Sequence, residues 1–75
     1  MKFRINAKQI VKDFGGMTAT ARTLTEAGVP FTRDAVDKWR RNGRVPSPHL
    51  CALALIAKKR GQRFELLDYI IEEAA

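Results

Sequence analysis

Apolar positions along this 75-residue chain recur at helical rather than strand spacing. Ala7, Ile10, Val11 and Phe14 stand at i, i+3, i+4 and i+7 behind Asn6, a good N-cap, and Gly15-Gly16 stops the run. A second helix is expected from Met17 or Thr18 to Ala27, with Ala21 and Leu24 turned inward and Gly28 just past its end. Val29-Pro30-Phe31 reads as a turn, because Pro30 has no N–H and disfavours helix at the residue before it. Thr32 caps a third helix, Arg33 to Asn42, which Gly43 terminates. Ser47 caps a fourth with Pro48 at its first helical position, and Leu50, Leu53, Ala54 and Ala57 form its stripe. Lys58, Lys59 and Arg60 fill its last turn, where cations suit the helix dipole. A fifth helix over 63–74 gathers Phe64, Leu67, Ile70, Ile71 and Ala74 on one face. Only Lys2-Phe3-Arg4-Ile5 alternates as a strand would. The pattern predicts an all-α fold, a compact five-helix bundle in a single domain over 1–75.

Charge changes the picture from fold to partner. The chain holds 14 Lys and Arg against 8 Asp and Glu, a net charge of +6. Residues 1–63 sum to +10 and residues 64–75 to −4, so a polyanion partner is expected for the first part and another role for the tail. A chain this short buries only about 60% of its unfolded surface. That leaves no volume for an enclosed catalytic cleft with a cofactor, and no paired carboxylates, metal cluster or activated nucleophile suggest an enzyme. Cys51 is the one cysteine, so neither an internal disulfide nor a cysteine-rich zinc site can form. His49 and Cys51 lie two apart without a third ligand type nearby. The start MKFRINAKQIVKDF has no apolar core of a signal peptide, and no run approaches a membrane span. A cytoplasmic protein is expected, free of membrane, metal and cofactor.

The third helix carries the candidate chemistry. Val36 and Trp39 define its inward side, and Asp34, Asp37, Lys38 and Arg41 lie opposite, flanked by Arg33 and Asn42. A basic helix pinned by its apolar side suits the major groove of double-stranded DNA, where its N-terminal half meets base edges. Arg33 and Lys38 suit guanine, and Asp34 or Asp37 suits cytosine N4. The plainer reading is an Asp34–Lys38 ion pair on a solvated face. Arg40, Arg41 and Arg44 suit phosphate contact, with Ser47 and His49 at the next helix start, and Thr32 is a further DNA-binding candidate. Thr18, Thr20 and Arg22 are further DNA-facing candidates. Trp39 is read as core rather than as a base-stacking platform.

Gly15-Gly16, the Thr-Ala-Thr-Ala run with Ala21, the Val36-x-x-Trp39 pair and the Gly43-Arg44-Val45-Pro46 exit resemble the Cro and lambda-repressor type of helix-turn-helix regulators, above all small Cro-like phage and prophage proteins. The likeness covers about residues 7–60 and places the helix-turn-helix over about 17–43. It departs in spacing: seven residues separate Ala21 from Gly28 and eight separate Gly28 from Val36, longer than the compact motif. Excisionases and winged helices of the MerR kind share a similar helix and exit, but there a β-hairpin follows, whereas Ser47-Pro48 opens a helix.

The resemblance implies a lambda-repressor-like domain and a transcriptional regulator, a repressor in a bacterial or phage-infected cell. The surplus apolar surface of the fifth helix, Leu66, Tyr69, Ile70 and Ile71, is the candidate interface of a homodimer on a palindromic operator, with half-sites about 34 Å apart. Two other readings stay open. One is an antitoxin whose last helix neutralises a toxin; the other is an architectural or recombination accessory factor.

Overall fold

The computed structural model describes residues 2–73, in the order β1 (Lys2–Ile5), α1 (Ala7–Asp13), α2 (Met17–Glu26), α3 (Arg33–Asn42), α4 (Ser47–Arg60), a 3-10 turn (Leu66–Tyr69) and β2 (Ile70–Glu73). The four α-helices begin and end on local signals. Asn6 Oδ1 accepts from the Gln9 amide at the head of α1, and Thr32 Oγ1 accepts from the Ala35 amide at the head of α3. Gly43, at φ 65°, closes α3 in the left-handed conformation that glycine adopts without cost. At α4 the cap position belongs to Pro46 rather than Ser47, one residue earlier than expected, and Pro48 still falls in the first turn.

Among the described residues there is no fifth helix, and the all-α, five-helix expectation is corrected to four α-helices and a two-stranded antiparallel sheet. The last segment makes one 3-10 turn and then pairs with β1 in the register Ile5↔Ile70, Arg4↔Ile71, Phe3↔Glu72. The reasons are physical. The β-branched pair Ile70-Ile71 favours extended backbone. The alternating, basic Lys2–Ile5 stretch offers an acidic partner strand its complement. The Asn6 amide donates to the Tyr69 carbonyl at 2.6 Å, fastening the junction. Ala74, assigned to the expected helix, lies outside the described residues.

Ile10, Leu24, Val36 and Leu53 are fully buried, one from each helix, with Ala7, Val11, Phe14, Ala21, Trp39, Ala57 and Tyr69 around them. α3 packs on both α1 and α2, α4 packs on α2, and the 3-10 turn packs on α1. Phe31 leaves its turn to stack on Trp39, ring centroids 4.8 Å apart, and on His49 at 4.5 Å. Those rings lock the α2–α3 connection onto the head of α4. No helix among the described residues is long and apolar enough to cross a membrane.

Candidate nucleic-acid interface

α3 turns one apolar side inward and nearly everything else outward. Val36 and Trp39 are buried, whereas Arg33, Asp34, Lys38, Arg41 and Asn42 are exposed. Burying Trp39 against Phe31 and His49 fixes the roll of the helix, and with it the row Arg33, Asp34, Lys38 and Arg41.

The ion pairing differs from the Asp34–Lys38 reading. Half-buried Asp37 accepts from Arg40 Nη2 at 3.0 Å and from Arg41 Nε at 3.1 Å, while Asp34 and Lys38 form no ion pair among the described residues. One carboxylate therefore holds two guanidinium groups, at i+3 and i+4, on the C-terminal half of α3.

Cations gather at both flanks of the helix. On one side Arg40 lines a shallow groove with Lys8, Lys12, Gly15, Gly16 and Met17. Gly16, at φ 106°, occupies the cap position of α2 and brings no capping side chain, so the first-turn amides of α2 have no partner from a cap. Free amides, the positive end of a helix and three nearby cations are what an anionic oxygen needs. On the other side Lys38, Asn42, Arg44 and Ser47 line a second groove between the end of α3 and the start of α4.

Lys8 and Lys12 were missed from the sequence. Their signal was the i, i+4 spacing on the polar side of α1, leading into a double glycine that leaves the next helix uncapped. Exposed Thr18 stands in that uncapped first turn, and exposed Arg22 lies one turn further along α2, outside the groove. Exposed Thr32 spends its hydroxyl on capping α3.

Three expected surface residues are interior. Thr20 is fully buried, its Oγ1 donating to the Gly16 carbonyl at 2.7 Å, because it shares the inward stripe with Leu24. His49 lies half-buried because its ring packs on those of Phe31 and Trp39, and its enclosed Nδ1 has no hydrogen-bond partner among the described residues. Tyr69 belongs to the core rather than to a subunit interface. Its hydroxyl donates to Asp13 Oδ2 at 2.5 Å, and burial, then that bond and the Asp13 charge, push its pKa up to about 12. Leu66 and Ile70 of the same set are exposed, and Ile71 is half-buried.

Among the described residues no three His, Cys, Asp or Glu side chains assemble as metal ligands. Comparison with known proteins gives no matching protein family, curated protein or solved structure.

Proposed function

We propose that this chain is a sequence-specific regulator that binds double-stranded DNA, with α3 in the major groove and α2–α3 serving as the helix-turn-helix. The observation that carries the proposal is the setting of α3. Its exposed row, Arg33, Asp34, Lys38 and Arg41, lies between two grooves that carry further cations. Helices in the major groove need that arrangement: side chains with donors and acceptors for base edges, and phosphate contacts on both sides to fix register. Lys8, Lys12 and the α2 amides hold one backbone, and Arg44 and Ser47 the other.

Six residues, 27–32, connect α2 to α3, so the connection is enlarged rather than α2 prolonged. Phe31 stiffens it from within, since Thr25 Oγ1 accepts from the Phe31 amide at 3.2 Å. The mechanism is occupancy: the bound protein covers an operator and excludes polymerase. Repression and a phage or prophage setting rest on the Cro-like resemblance of the sequence. The helix that the antitoxin reading assigned to a toxin is replaced by a 3-10 turn and β2.

Site selection from a random double-stranded DNA pool tests the proposal. A defined consensus is expected, and Arg33→Ala or Lys38→Ala relaxes it at one position by about 1–3 kcal/mol. Lys8→Ala weakens all sequences alike. Enrichment of no sequence would overturn sequence-specific binding and favour an architectural factor.

A further inference from the structure

α4 is apolar on every side in its middle, with eight consecutive apolar residues from Leu50 to Ala57. A helix of that kind is normally enclosed. Within one copy of this chain only Leu53 and Ala57 are buried, and Leu55 is 54% exposed. Leu55 floors a groove with Ala27, Val29, Ala52 and Ile56, and Lys59 and Arg60 form its end. α4 contains no carboxylate, and neither Lys58 nor Lys59 forms an ion pair among the described residues. The groove calls for an apolar segment flanked by acids.

The chain carries such a segment on its own surface. Glu65-Leu66-Leu67-Asp68 runs through the 3-10 turn with all four residues exposed, Leu67 at 81% and Leu66 at 42%. The groove lies on the α2–α4 side and the turn is packed against α1, so they are separate surfaces of one copy.

We infer that copies of this chain associate head to tail, the acid-flanked Leu66-Leu67 turn of one copy seated in the α4 groove of the next. Charge selects this pairing over a two-fold one. Groove on groove gathers Lys58, Lys59 and Arg60 with their own duplicates, and turn on turn sets Glu65 beside its own duplicate. Turn on groove sets acid against base and covers Leu55 and Leu67 together. Asp68 is already within 3.3 Å of Arg63, an exposed pair that opens readily. A heterologous contact of this type leaves one groove and one turn free at the ends, so the array is open. A contact of one short turn in one groove is expected to be weak in free solution and to take effect where copies are held side by side. Given the DNA-binding reading, it favours tandem direct sites over a palindrome.

The test needs no DNA. Sedimentation velocity of the wild-type chain, from micromolar to millimolar concentration at low salt, is expected to show species that keep growing and that recede as salt rises. Leu55→Glu removes only the groove and Leu67→Glu only the turn; both positions are exposed, and circular dichroism checks the fold of each. Each variant alone is expected to be monomeric, with association weakened about tenfold or more. Mixed, they retain one intact contact, the turn of the Leu55→Glu chain in the groove of the Leu67→Glu chain, and should stop at a one-to-one dimer. Lys59→Glu should weaken the array, and adding Glu65→Lys on the same chain should restore it. A wild-type chain that stays monomeric or stops at a dimer overturns the inference. So does a mixture that stays monomeric.

Discussion

On the DNA-binding proposal, Asp37 governs how much of the charge on α3 is free to meet DNA. Two of the four arginines between residues 33 and 44 are engaged by its one carboxylate. Replacing it with alanine releases both while leaving the buried Val36 and Trp39 in place. Asp37→Ala is therefore expected to tighten binding to DNA of unrelated sequence several-fold and to narrow the gap between the selected site and random DNA. Competition binding against bulk genomic DNA measures that gap directly, and an unchanged ratio would show that the two ion pairs are irrelevant to binding. At this scale the sequence was readable where a residue answers to its near neighbours. The buried stripe of α1, the burial of Trp39 and the caps Asn6 and Thr32 follow from spacing alone. Thr20 was misread because a hydroxyl looks polar, yet four residues before Leu24 it falls on the inward stripe and bonds back to its own helix.

Among the elements, the last segment shows where local reading ends. Four helices announce themselves through stripes, glycines and caps that lie within a few residues of one another. β2 depends on a partner at the opposite end of the chain, Ile5 against Ile70, and no window of local pattern spans that distance. The alternation of Lys2–Ile5 was visible, but without a second strand it had nothing to pair with. Tyr69 fixes the segment to α1 through Asp13, and its ionisation reports on that tie. Its pKa is raised from the ordinary value of 10.0 to about 12, so the folded form holds the phenolic proton after the unfolded chain has released it. That contribution to stability is complete below pH 10 and lost as pH rises through 12. As the chain has one tyrosine, tyrosinate absorbance follows it cleanly. The folded protein should titrate near 12, its melting temperature should fall between pH 10 and 12, and Asp13→Asn should lower the titration point. A titration near the ordinary value in the folded protein would contradict the buried bond.

Over the whole molecule, residues 1–63 carry +10 and the remainder −4, so the acidic excess lies in the 3-10 turn and β2 and the basic excess in the rest of the chain. On the DNA-binding proposal, Lys8, Lys12 and Arg44 give a footprint of about three phosphates, with Arg40 and Arg41 engaged by Asp37, which sets a slope of about −2.7 for log affinity against log salt. Raising salt fourfold is then expected to weaken DNA binding roughly 40-fold, and titrations at several salt concentrations check it. A slope near −1 would exclude the two-sided grip. The molecular features that sequence reading missed share one cause. Grooves, ring stacks and strand pairs join residues from distant parts of the chain, as Arg40 joins Lys8 and Lys12.

The pairing of β1 with β2 has a mechanical consequence. β1 and β2 are antiparallel, and Lys2 stands opposite Glu73, so tension running along the chain enters and leaves at neighbouring points of one sheet. Such a load pulls across the ladder at its outermost rung and parts the rungs one after another, as a zip opens. The sheet yields at low force, well before the helices that share Ile10, Leu24, Val36 and Leu53 feel any strain.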